Sequence, residues 1–112
     1  MRFCLLLLQV VLILFFAVSA KAETVEVEIF KSAFIPAVVK VKKGDVVRWV
    51  NKEEVLHTVT SGKSPIHDKK FNANFLVKEY EIKTDDLMGV IDYYCAIHNA
   101  TMRGVIVVVD KK

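Results

Sequence analysis

Apolar and polar residues alternate through most of the chain beyond residue 22, which is the pattern of β-strands that bury one face. Near the start of this region, Val25, Val27 and Ile29 alternate with glutamate and other polar residues. A stretch rich in β-branched and aromatic residues at 46–51 suits a central strand. The predicted strands are 24–29, 38–41, 46–51, 55–61, 75–83, 90–94 and 104–109. No segment holds a helical period over three turns, so the pattern predicts an all-β chain.

Turn-forming residues separate these segments. Pro36 ends a loop that begins at residue 30, and Lys43-Gly44-Asp45 forms a turn between two strands. Residues 62–74 contain a glycine, a proline and several polar side chains, which predicts a long loop. Short strands with turns about every 8–12 residues are typical of a β-sandwich. We therefore predict an antiparallel β-sandwich of about seven to eight strands.

The first 22 residues differ from the rest of the chain. A positive start precedes an apolar run from Phe3 to Val18, and small residues follow it. This is the layout of a secretory signal peptide that is cleaved after Ala20 or Ala22, leaving one domain at 23–112. A retained membrane anchor is the alternative, although such a run reaches only about 24 Å as a helix, against a hydrocarbon core of about 30 Å.

Charge and cysteine content change once the leader is set aside. The formal charge of +3 falls to +2 without Arg2, and to +1 if Lys21 is also removed. A charge so close to zero gives no reason to expect nucleic acid as a partner. Cys95 is then the only cysteine, so no internal disulfide can form in an oxidising compartment. An exported lone thiol is a liability unless it is occupied, and a metal ion would occupy it.

The stretch from Tyr94 to Gly104 carries the chemistry of the chain. It contains a cysteine, a histidine and a methionine, namely Cys95, His98 and Met102. A thiolate, an imidazole and a thioether together suit copper, whereas a hard cation would require carboxylates, which are absent between Cys95 and Met102.

A fourth ligand must come from elsewhere in the chain, and His57 is the candidate. Cys95 ends one predicted strand and Met102 precedes the next, so the loop between them can fold over a single ion. His57 lies far from this loop in sequence, so only the folded sandwich can bring it near. Two histidines and a thiolate with a long axial thioether form the type 1 (blue) copper site of electron carriers.

Two segments resemble the cupredoxins, in particular the plastocyanin/azurin-like family and most closely its amicyanins. One is Trp49-Val50-Asn51 followed after five residues by His57; the other is Tyr94-Cys95-x-x-His98 with Met102-Arg103-Gly104 and a Val/Ile run. The resemblance covers about residues 33–109. It implies a Greek-key sandwich, one copper ion cycling between Cu(I) and Cu(II), and the ligands His57, Cys95, His98 and Met102.

The sequence departs from the family pattern at two places. Three residues separate His98 from Met102, whereas amicyanins have two and plastocyanins have four, and the prolines that commonly stiffen this loop are absent. The family often has asparagine directly after the first histidine, where it ties the two ligand loops together. This chain has Thr58 there, and we expect its hydroxyl to do a similar job.

Other interpretations of these residues are possible. Cys95 could be an inert core thiol, and zinc is the alternative metal for a cysteine with histidines. A catalytic Cys/His pair would need an oxyanion hole and an orienting group, which no motif supplies.

The resemblance implies a soluble one-electron carrier rather than an enzyme, exported to the periplasm and monomeric. Its partner would be a redox enzyme or a cytochrome that docks transiently near His98, on an apolar patch formed with Ile97 and Ala100 and rimmed by lysines. After leader removal no contact with the membrane is expected. The alternative function is a periplasmic protein that stores copper or delivers it as a chaperone.

Overall fold

The computed structural model describes residues 21–76, 78–98 and 101–111, which form two β-sheets around one apolar core. The strands of these residues are β1 (Thr24–Phe30), β2 (Ala33–Ile35), β3 (Val38–Lys42), β4 (Val46–Asn51), β5 (His57–Ser61), β6 (Asn72–Leu76), β7 (Glu79–Lys83), β8 (Gly89–Tyr94) and β9 (Arg103–Val109). The described chain contains no helix. The predicted β-sandwich is therefore confirmed.

One sheet has the strand order β2-β1-β4-β7, and the other has the order β3-β9-β8-β5-β6. Two pairings are parallel, β1 with β4 and β3 with β9, and the remaining pairings are antiparallel. The parallel pairs arise because the chain changes sheets after β2 and returns to the first sheet with β4. The sheets are thus mixed rather than purely antiparallel, and they contain nine described strands instead of seven or eight.

The core forms between the inward faces of the two sheets. Along β9 the burial alternates residue by residue, with Gly104, Ile106 and Val108 turned inward. The fully buried Trp49 packs against Tyr93 at 5.3 Å between ring centroids, in an edge-to-face arrangement that joins the two sheets. Burial also raises the pKa of Tyr93 to about 12.

The sequence pattern misplaced two parts of the chain. β2 (Ala33–Ile35) lies inside the loop predicted at 30–36. The stretch 75–83, predicted as one strand, is divided between β6 and β7, which belong to different sheets. β6 begins at Asn72, inside the predicted loop at 62–74. Alternation along a sequence does not indicate which sheet a strand joins. Two consecutive strands in different sheets can therefore look like one continuous strand in the sequence.

The end of the sandwich farthest from Cys95 is closed by hydrogen bonds from two side chains. Asp45 accepts from the backbone N–H groups of Glu23 at 3.0 Å and Lys42 at 2.9 Å. The Thr84 hydroxyl accepts from the Gly44 N–H at 2.9 Å and donates to the Asp45 carbonyl at 2.8 Å. Both side chains are buried. These bonds fix the turn between β3 and β4 to the start of β1.

Residues 1–20 of the predicted leader lie outside the described residues, and its last two residues, Lys21 and Ala22, are exposed. The residues that the structure describes include no helix of the length and apolarity that a bilayer crossing requires.

Candidate metal centre

Three side-chain donor atoms converge at one end of the sandwich. The Sγ atom of Cys95 lies 3.8 Å from Nδ1 of His57 and 3.6 Å from Nδ1 of His98. All three atoms lie within 4.8 Å of one another. His57 and Cys95 are fully buried, and His98 is partly exposed. The structure therefore brings His57 to the cysteine loop, as the sequence predicts.

Backbone hydrogen bonds close the loop that carries Cys95 and His98. The Cys95 N–H donates to the Met102 carbonyl at 3.0 Å, which extends the β8–β9 hairpin by one pair. The His98 carbonyl accepts from the Met102 N–H, also at 3.0 Å. Met102 is fully buried and belongs to the same core cluster as Cys95. Asn99 and Ala100, which include part of the predicted docking patch, lie outside the described residues.

His57 is the first residue of β5, directly after a turn that Asn51 organises. The Asn51 side chain accepts from the Glu53 N–H at 2.9 Å and donates to the Val55 carbonyl at 2.9 Å. This turn brings Glu53 back over the imidazole, where Oε1 lies 2.9 Å from Nε2 of His57. Because an ionised carboxylate only accepts, Nε2 is the donor in this bond, and Nδ1 is the ring nitrogen that faces Cys95.

Glu53 is a site residue that sequence reasoning missed. Its Oε1 also accepts from the Ser32 N–H at 3.1 Å, and this bond, followed by the bond from His57, lowers the pKa of the carboxyl group. A glutamate four residues before a histidine is a weak signal by itself. It becomes informative only when the intervening turn is known to fold back.

Thr58 links the two segments that carry the donor atoms, which confirms the expectation placed on it. Its hydroxyl oxygen accepts from the Ala96 N–H at 2.7 Å, and its own N–H donates to Cys95 Sγ at 3.3 Å. Thr58 therefore fixes the position of the cysteine loop and gives the Cys95 sulfur a hydrogen-bond donor.

The Thr58 hydroxyl begins a chain of side-chain hydrogen bonds that leads away from the site. It lies 3.0 Å from Oγ1 of Thr60, which donates to the Asn72 side chain at 3.0 Å. Because Thr60 uses its one proton on Asn72, the Thr58 hydroxyl must be the donor to Thr60. The Thr58 oxygen is then left to accept from the Ala96 N–H.

The chemistry of the donor set fits copper. One thiolate and two imidazoles are the soft and borderline ligands that copper prefers, and the three residues come from separate positions on two loops. Burial of His57 and Cys95 keeps water from the sulfur. A dry, preformed cluster of this kind binds an ion with little rearrangement of the protein.

Apolar side chains are exposed in the two segments that carry the histidines. Ile97, directly before His98, is 50% exposed, and Val55 and Leu56, directly before His57, are 55% and 41% exposed. The sequence predicts that Ile97 belongs to a docking patch. It gives no such indication for Val55 and Leu56, because an apolar pair at the start of a predicted strand indicates a core position.

Comparisons with known proteins identify a family and related structures. Residues 21–109 match the model of the family described as copper binding proteins, plastocyanin/azurin family. Amicyanin from Paracoccus versutus is 32% identical over 94 residues, a match that covers 82% of this chain and 70% of that protein.

Solved structures resemble the fold as well. A reduced variant of amicyanin superposes with a TM-score of 0.65 at 27% identity and covers 83% of this chain and 88% of its own. A pseudoazurin from Sinorhizobium meliltoi gives a TM-score of 0.63 at 28% identity, covering 79% and 75% of the two chains.

Proposed function

We propose, since this chain belongs to the plastocyanin/azurin family of copper-binding proteins, that it is a type 1 copper protein that carries single electrons between redox partners. Copper is the cofactor that the family and the donor set indicate. When bound, copper supplies one-electron chemistry because it is stable as both Cu(I) and Cu(II).

The observation that carries this proposal is the convergence of Nδ1 of His57, Sγ of Cys95 and Nδ1 of His98 within 4.8 Å. We assign these three atoms as groups that would bind the copper ion. Met102 would supply a thioether as a fourth ligand, since it is buried and its backbone pairs with Cys95. The three-residue spacing after His98 is longer than in amicyanins, which the loop accommodates between its two hydrogen-bonded ends.

The surrounding residues hold the donors in one arrangement. Glu53 fixes the orientation and tautomer of His57, and Thr58 holds the backbone that follows Cys95. A site whose ligands are fixed by neighbouring hydrogen bonds changes little when the charge of the ion changes. Fast electron transfer requires this small rearrangement.

Electrons enter and leave through the partly exposed His98 edge. Ile97, Val55 and Leu56 supply exposed apolar surface next to the ligand residues, which suits a small and transient contact with a redox enzyme or a cytochrome. The leader at residues 1–22 directs the chain to the periplasm, where the domain from residue 23 acts as a monomer.

Burial distinguishes this function from copper delivery. A delivery protein exchanges its ligands with those of an acceptor, so its sulfur must be accessible. Here Cys95 is fully buried and also accepts a hydrogen bond from Thr58. This arrangement favours retention of the ion.

The experiment is to add Cu(II) to the purified domain, record visible and EPR spectra, and then measure its self-exchange rate and its transfer of copper to a chelator. We expect an intense thiolate-to-copper absorption, fast self-exchange and slow copper loss. A protein that stays colourless contradicts the copper site, and slow self-exchange with rapid copper loss contradicts the carrier function.

A further inference from the structure

Among the residues that the structure describes, Glu23 is the first that backbone hydrogen bonds hold to the sandwich. Its N–H donates to Oδ1 of Asp45 at 3.0 Å, and its carbonyl accepts from the Val46 N–H at 2.8 Å. Lys21 and Ala22 precede it as exposed residues outside any strand. The boundary between secured and unsecured chain therefore falls at the Ala22–Glu23 peptide bond.

This boundary coincides with one of the two cleavage positions that the sequence leaves open, after Ala20 or after Ala22. We propose that a signal peptidase cleaves between Ala22 and Glu23, and that Asp45 binds the α-ammonium group formed there. Water supplies the second reactant. The Ala22–Glu23 bond breaks, Ala22 leaves as a carboxylate, and the Glu23 nitrogen takes up protons to become the ammonium group.

Asp45 is already placed to receive this charge. It is 8% exposed, and its second oxygen is held by the Lys42 N–H at 2.9 Å, so the first oxygen is fixed against Glu23. Before cleavage this oxygen accepts from a neutral amide. After cleavage it accepts from a cation, which adds the attraction of opposite charges to a hydrogen bond whose acceptor is already ionised.

The charges around this point favour the same position. A groove of about 650 Å³ there is lined by four lysines and three acidic residues: Lys21, Lys42, Lys43, Lys111, Glu23, Asp45 and Asp85. Cleavage after Ala20 would leave Lys21 in the groove and place a further ammonium group two residues before Glu23. Cleavage after Ala22 removes Lys21 and sets the single new cation against a carboxylate.

The position is tested by expressing the full 112-residue chain in a Gram-negative host and determining the mass and N-terminal sequence of the exported protein. The proposal expects a chain that begins at Glu23. A chain that begins at Lys21, or one that retains the leader, overturns the cleavage position.

The role of Asp45 is tested separately by a double-mutant cycle on metal-free protein. Asp45→Asn is compared in chains that begin at Glu23 and in chains that begin at Lys21, and unfolding is measured by denaturant titration. We expect the substitution to raise the unfolding equilibrium constant about threefold more in the Glu23 chain, where it removes an ion pair. The matched control is Glu54→Gln, at an exposed carboxylate in the turn before His57, which should act equally in both chains.

Equal effects of Asp45→Asn in both chains would overturn the ion pair. If Asp45→Asn prevents folding, acetylation of the Glu23 amine removes the same charge while keeping the N–H donor. The acetylated chain should then be less stable than the free one, and equal stability again overturns the pair.

Discussion

The two ends of the sandwich are built in similar ways but differ in the partners of their buried side chains. At each end, a buried threonine hydroxyl bridges two loops, Thr84 at one end and Thr58 at the other. At the Thr84 end, the buried carboxylate and hydroxyl all have backbone partners. At the Thr58 end, Cys95 Sγ and the two imidazole Nδ1 atoms face one another at 3.6–3.8 Å.

The difference shows which part of the molecule folding completes by itself. The bonds around Asp45 and Thr84 satisfy the polar groups that they bury, so that end needs nothing further. The end with Cys95 gathers one sulfur and two imidazole nitrogens, which a copper ion would bind together. A metal site of this kind can be recognised in a structure by metal-binding side-chain atoms from several residues that face one another.

Cys95→Ala should have the largest effect at the Thr58 end, because Cys95 is the only cysteine among the described residues. We expect complete loss of the intense visible absorption on adding Cu(II), and loss of the copper-dependent rise in the unfolding temperature. Absorption spectra and thermal unfolding with and without copper measure both. A substituted protein that still turns blue would contradict the assignment of Cys95.

Gly104→Ala tests the packing that joins the two sheets. Tyr93 pairs with Gly104 across the β8–β9 hairpin, and a Cβ atom at residue 104 would overlap the Tyr93 ring. Since this ring is fully buried and cannot move aside, we expect a loss of about 3 kcal/mol in unfolding free energy.

The matched control is Gly89→Ala at the start of β8. Its Cβ would meet no atom within 4 Å, but its φ of 83° lies in the left-handed region. We therefore expect only the cost of backbone strain, a loss of about 1 kcal/mol in unfolding free energy. Denaturant titration of both variants decides the matter, and equal losses would contradict the packing argument.

Thr58→Val and Thr84→Val form a matched pair that compares the two ends of the sandwich directly. Each removes a buried hydroxyl and leaves backbone partners unsatisfied, so each should cost about 1–3 kcal/mol of unfolding free energy. Only Thr58→Val should also weaken copper binding, by about tenfold or more, and shift the reduction potential. Competition titration and voltammetry distinguish them, and an unchanged spectrum and potential in Thr58→Val would exclude this role for its hydroxyl.

The smallest effect concerns pH. The hydrogen bond from the Glu23 N–H, the largest cause, lowers the pKa of Asp45 despite its burial. The carboxylate therefore stabilises the fold above its unfolded pKa of about 3.9, and this stabilisation is lost as pH falls through the lower folded value. Asp45→Asn should cost most near neutral pH, and its cost should shrink below about pH 4. Unfolding of the metal-free protein across this range measures it.

Local patterns can be predicted from this sequence, whereas pairings between distant segments cannot. The alternation in β1 and the donors between Cys95 and Met102 are local, so both could be predicted. The parallel pairing of β1 with β4 depends on where the chain crosses between sheets. For the same reason, the contact of Glu53 with His57 could not be predicted, because it requires the turn at Asn51 to fold the chain back.

The hydrogen bond from the Cys95 amide to the Met102 carbonyl makes the segment between them a replaceable module. Its two ends are pinned together by the hairpin, so residues can be inserted or deleted inside it without moving either sheet. Natural variation in the length of this segment can therefore change the reduction potential of the bound ion while the two sheets stay the same. Grafting loops of other lengths between the same two anchors would place that tuning under experimental control.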